Sequence, residues 1–217
     1  MKKRAEEQLT QAAAALIVQG NVEAEKAEAK KAEKKALAKL GLKPEEVAAM
    51  FEIRVLIEED GAMDAVAAKL KDVSAKAAVR MQLLFIALLG QTEKPLGVLV
   101  KERYALLKSV ATTNKDQLAQ LIGLEYFLGV VAPQHAKESS KVLNALYELK
   151  VVDEDLIIAW YDRPSAGATA LGVPEEAGQL VRKHAQMFID WLKEAEEEDD
   201  EDDDEDEEGD EDEEDDD

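Results

Sequence analysis

Apolar positions recur every three or four residues along most of this chain, and none of its segments shows the strict alternation of a half-buried strand. The pattern predicts helices separated by short breaks. AEEQLTQAAAALIV and EAEKAEAKKAEKKALAKL read as two helix-prone stretches parted at Gly20-Asn21. Pro44, followed by Glu45 and Glu46, opens the globular part, because proline fits where a helix's first amide is unpaired and carboxylates favour the positive end of its dipole. VAAMFEIRVLIEE continues that helix to a break at Asp60-Gly61. Ser74 is the expected N-cap of AKAAVRMQLLFIALL, a segment apolar almost all round and closed by Gly90, which places it between neighbours.

Pro95 introduces LGVLVKERYALLKSVA as one helix, and Thr112 to Asn114 form the next turn. DQLAQLIGLEYFLGVV stops before Pro133, and KESSKVLNALYEL runs to about Lys150. Val152-Asp153 opens the short helix EDLIIAWY, and DRPSAGATALGV is read as a loop leading to Pro174 and the final helix. Segments of this length with short connections have the rhythm of antiparallel helix pairs stacked as a solenoid. In the final helix Ala177, Leu180, Val181, His184, Phe188, Trp191, Leu192 and Ala195 share one apolar face. Trp160, Phe188 and Trp191 are expected in the core.

Charge divides the chain. From Glu194 to Asp217 there are 22 Asp and Glu with no Lys or Arg, so the remaining 49 − 22 = 27 acids balance the 27 bases. The body is neutral and the tail carries the whole net charge of −22. Dense like charges without apolar side chains cannot offset chain entropy, so disorder is expected beyond about Asp199. Three regions follow: a basic helical lead or linker over 1–43, a helical domain over 44–198, and a disordered acidic tail over 199–217.

With no cysteine the chain has no thiolate catalysis, disulfide or cysteine-ligated zinc. His135 and His184 lack the spacing of a metal pair, and no phosphate-cradling glycine loop or nucleophile elbow is present. Ser139-Ser140 read as helix-surface residues, and Lys101, Arg103 and Lys108 as a solvated face of one helix. No enzyme, metal or cofactor is expected. Glu6 and Glu7 stand where a signal peptide needs apolar residues, and Ala12 to Val18 is too short to span a bilayer, so a soluble, cytoplasmic protein is expected. What the charge pattern does offer is binding: a polyanion whose first acids, Glu194, Glu196, Glu197 and Glu198, adjoin an aromatic anchor can hold lysine-rich segments.

Two stretches, VLNALYELKVVDEDLIIAWYD and FIDWLKEAEEEDD, resemble the paired aromatic and acidic boxes of the C-terminal domain of eukaryotic translation initiation factor 5. That domain is shared with the epsilon subunit of initiation factor 2B and with factor 5 mimic proteins. The resemblance implies an all-α, HEAT-like solenoid and an adaptor that assembles the preinitiation complex. It implies as partners the lysine-rich arm of the initiation factor 2 beta subunit, initiation factor 3 and initiation factor 1. Apart from the resemblance, the lack of a spanning segment and the body's lack of excess positive charge lead us to expect no membrane and no direct nucleic acid, and a monomer is expected. By position the resemblance places Asp153, Glu154, Asp155, Trp160 and Tyr161 in the first box, and Phe188, Trp191, Leu192, Glu194, Glu196, Glu197 and Glu198 in the second. Factor 5 stimulates GTP hydrolysis through a separate module with a four-cysteine zinc ribbon, so that activity is not expected here. A piece of a longer factor and a short adaptor both remain open. So do two other readings: the exchange region of initiation factor 2B epsilon, and an acidic chaperone of basic proteins.

Overall fold

The computed structural model describes residues 24–59 and 63–203, with side chains described as far as Ala195. All regular elements among these residues are helical: α1 at 24–39, α2 Pro44–Glu58, α3 Met63–Asp72, α4 Ala77–Leu89, α5 Leu96–Glu102, α6 Tyr104–Val110, α7 Asn114–Tyr126, α8 Ser139–Glu148, α9 Glu154–Tyr161, α10 Ser165–Leu171 and α11 Glu175–Asp203. A π turn at Phe127–Val131 and a 3-10 turn at Pro133–Glu138 join α7 to α8. No described helix is long and apolar enough to cross a membrane. The Gly20-Asn21 and Asp60-Gly61 breaks lie outside the described residues.

Two compact units divide between Ala48 and Ala49, inside α2. In the first, α1 is exposed along most of its length, with Leu37 buried. Gly41 takes φ +86° and lets Leu42 N–H donate to Leu37 O, a left-handed helix stop that a side chain would strain. The expected start of α2 at Pro44 is observed, and the Lys43 amide donates to the Glu46 carboxylate at 2.9 Å.

In the second unit α4 is the central helix. Its run from Met81 to Leu89 is buried throughout, and α7 packs along it. The two backbones approach closely at Gly123, where a Cβ would lie 2.8 Å from Gln82 N. Helix α4 begins at Ala77, with Lys76 and not Ser74 at the cap position. Gly90 closes it as expected but in a right-handed conformation, and buried carbonyls of the last turn are met by buried Arg54, whose Nη2 donates to Ile86 O at 3.1 Å. Around this centre α5 packs on α8, α8 on α11, and α9 and α10 on α7, giving a HEAT-like stack of helices.

Three differences from the sequence reading have physical causes. The segment after Pro95 is two helices, because Arg103 at φ −113° and ψ 16° breaks the ladder. Lys101 and Lys108 therefore sit on different helices, and Lys101 pairs with Glu148 at 2.6 Å. The stretch read as a loop after Asp162 contains α10, which buries Gly167 and ends at left-handed Gly172. Helix α11 continues to Asp203, beyond the expected onset of disorder near Asp199. Extending a packed helix by one residue requires no new nucleus.

Candidate partner-binding site

The aromatic residues of both predicted boxes lie on α9 and α11, which pack against each other. Helix α9 begins at Glu154 as expected, with Glu154 and Asp155 in its first turn, where carboxylates favour the dipole. Asp153 precedes it and is locked to α7: Gln117 Nε2 donates to its carboxylate at 3.0 Å, and its own amide donates back to Gln117 Oε1 at 2.8 Å. Asp155 is exposed.

At the other end of α9 Trp160 is 2% exposed and donates its indole N–H to Glu125 Oε2 at 2.8 Å. Glu125, in the middle of the apolar helix α7, is wholly buried and is met by Arg182 of α11 at 2.6 Å. The Arg182 guanidinium also donates to the carbonyls of Trp160 and Tyr161 and lies 4.7 Å from the centre of the Trp160 ring. Gly167 of α10 and Gly178 of α11 face the Glu125 carboxylate so closely that a Cβ on either would stand 2.8 Å from its atoms. A buried charge is tolerated only when paired and hydrogen-bonded. This carboxylate is both, and it thereby ties α7, α9 and α11 together. Sequence reading missed it.

The stripe that α11 buries is Val181, Arg182, Ala185, Phe188, Ile189 and Leu192. His184 is exposed, and its carbonyl accepts from Ser140 Oγ at 2.6 Å. Ser139, read as a surface residue, is buried and bonds to Ala136 O. Trp191 departs from the core expectation: it is 49% exposed, at the edge of the stripe. Its ring stacks on Phe188 at 5.9 Å and meets Tyr147 of α8 edge-on at 5.9 Å. One face is thus held and the other is open to solvent.

Lys193, the last base before the acidic run, reaches back to Asp162 at 3.0 Å and lies 6.0 Å from the Tyr161 ring. It joins the ends of the two boxes. Glu194 is exposed beyond it. Glu196, Glu197 and Glu198 continue the helical backbone of α11; their side chains lie outside those described. The acids of the first box stand at the start of α9, whereas the Lys193–Asp162 bridge stands just past its end. Among the described residues no group of three or more His, Asp or Glu is placed to hold a metal ion.

The geometry defines a helical-repeat domain that presents an aromatic and acidic helix end. Residues 116–202 match the family model described as W2: eIF4-gamma/eIF5/eIF2-epsilon. The chain is 30% identical over 205 residues to the probable eukaryotic translation initiation factor 5-1 of Arabidopsis thaliana, covering 90% of this chain and 44% of that relative. It is 35% identical over 92 residues to eukaryotic translation initiation factor 5 of Zea mays, covering 41% of this chain and 19% of that one. Among solved structures, the C-terminal domain of translation initiation factor 5 at low pH matches with a TM-score of 0.53 and 24% identity, covering 71% of this chain and 96% of that one. The chain carries a domain similar to the C-terminal domain of initiation factor 5. It spans under half the length of the curated relatives it matches.

Proposed function

We propose that this protein is a non-enzymatic adaptor of translation initiation, which binds the lysine-rich arm of the initiation factor 2 beta subunit and bridges it to initiation factors 3 and 1. One observation carries the reading. The packed aromatic end of α11 passes without a helical break into a run that holds 22 acids and no base. A helix already anchored at Phe188, Ile189 and Leu192 presents its first carboxylates at a lower ordering cost than a free polyanion would. Asp153, Glu154 and Asp155 at the start of α9 provide a second acidic element. Trp160 and Leu192 act from within by holding the two helices together, while Tyr161, Phe188 and Trp191 shape the surface between them.

The test is a charge reversal. Glu196, Glu197 and Glu198 changed together to Lys should abolish binding of the purified chain to a peptide with consecutive lysine runs, measured by fluorescence anisotropy, while circular dichroism stays unchanged. Undiminished affinity would remove those residues from the site.

A further inference from the structure

Beside the acidic run lies an apolar groove between α8 and α11. Its floor and walls are Ser140, Lys141, Asn144, Met187, Phe188 and Trp191, and its volume is about 450 Å³, large enough for one or two side chains. Met187 is 80% exposed and Trp191 49% exposed, although neither is needed to close the core beneath them, which Val142, Ala145, Ala185, Phe188 and Ile189 already fill. A flexible thioether beside the open face of a tryptophan is the kind of surface that repacks around a partner's apolar side chain.

The charges at its two ends differ. Lys141 stands toward the start of α8; at the other end Lys150 lies 4.8 Å from the centre of the Tyr147 ring that meets Trp191, and beyond Trp191 helix α11 continues into Glu194 and the acids that follow. We infer that the groove seats an apolar side chain of a partner segment whose adjoining lysines run along the acidic end of α11. The inference rests on the adaptor reading for the lysines and adds a second recognition element to it. A lysine run leaving over the start of α8 would meet Lys141, whereas one leaving along α11 past Trp191 meets Glu194 and the acids after it, which outweigh the single charge of Lys150. A lysine run alone would bind any dense polyanion; the apolar side chain makes recognition selective, because the groove rewards it at a fixed distance from the charges.

The inference is tested with two synthetic peptides, one with six consecutive lysines and one in which a leucine and a phenylalanine precede the same lysines. Binding to the full chain and to Met187→Glu is measured by anisotropy; Met187 is exposed, so this substitution leaves the core untouched. The apolar peptide should bind the unchanged protein about tenfold more tightly than the lysine peptide, the scale of partly burying one large apolar side chain. Met187→Glu should remove that advantage without weakening the lysine peptide. Equal affinity of the two peptides for the unchanged protein overturns the groove and leaves the adaptor reading standing. Failure of the lysine peptide, with the apolar peptide still bound and sensitive to Met187→Glu, overturns the adaptor reading and keeps the groove. Sedimentation of the protein alone provides a further outcome: a dimer that Met187→Glu dissociates would assign the groove to a second copy of the chain and overturn the inference.

Discussion

Arg182 and Glu125 form a buried ion pair at 2.6 Å, and Trp160 donates its indole N–H to the same carboxylate. The pair links α7, α9 and α11, so the acidic helix end is held by the core through a polar contact as well as by apolar packing. Removing one partner leaves the other charge buried without its counterion. Glu125→Gln should therefore destabilise the protein by about 3–5 kcal/mol, read as a lower urea midpoint. Combining Glu125→Leu with Arg182→Met should cost less than the sum of the single changes, because neither charge is then stranded. Additive losses would show that the two residues act independently.

The two tryptophans should separate cleanly. Trp160→Ala empties a core site and loses the bond to Glu125, a cost of roughly 3–5 kcal/mol. Trp191 is half exposed, and its truncation should cost about 1 kcal/mol, mainly its contacts with Phe188 and Tyr147. Equal losses in chemical denaturation would mean that Trp191 is as deeply packed as Trp160.

Much of the fold is legible in the sequence because its helix starts carry their own chemistry. Pro44, Pro174 and the acidic first turn of α9 mark helix starts through local effects that need no tertiary knowledge. Helix α10 is illegible for the opposite reason. SAGATAL has no apolar stripe; its position is set by Gly167 lying against a carboxylate forty-two residues earlier in the chain. Spacing in threes and fours also leaves helical phase open by one position. That is why the predicted face of α11 included His184 and Trp191 but omitted Ile189 and Arg182. The one available sign of the buried pair was Glu125 itself, a lone acid within LIGLEYFLGVV. Its partner, among the charged residues of α11, looked like any solvated base.

The glycines around Glu125 should resist substitution. A Cβ at Gly167 or Gly178 would stand 2.8 Å from the carboxylate, closer than van der Waals contact allows, and the carboxylate cannot move without loosening Arg182. Gly167→Ala and Gly178→Ala should each lower stability by about 1–3 kcal/mol, visible as a reduced Tm. Gly172, whose Cβ would meet nothing, would respond only to backbone strain from its φ of +67°.

Stability should decline at both ends of the pH range for different reasons. Burial raises the Tyr126 phenol above its ordinary value of 10.0, against an opposing hydrogen bond from Gln82. As pH rises past 10.0 the unfolded chain ionises first, so stability is lost until the folded phenol also ionises. Tyr126→Phe should flatten the alkaline slope of the urea midpoint. Glu148 is the reverse case: hydrogen bonds from Lys101 and Asn144 lower its pKa below 4.5. Its contribution is present above 4.5 and is lost as pH falls through the folded value; Lys101→Met should weaken that acid dependence. Unchanged slopes would assign the two declines to other groups.

The division of labour along the acidic run can be tested by shortening it. Residues 201–217 hold 16 of the 22 acids that follow Lys193, which leaves Glu194, Glu196, Glu197, Glu198, Asp199 and Asp200. If recognition occurs where α11 is anchored, deleting 201–217 removes long-range attraction but keeps the charges nearest Trp191. Affinity for a lysine-run peptide should then fall only in part, and its dependence on salt should become shallower, since screening acts most strongly on distant exposed charges. A chaperone that uses the whole polyanion should instead lose most of its binding. Isothermal titration at two salt concentrations distinguishes them: near-complete loss of binding on deletion would move recognition away from the packed helix end and into the tail.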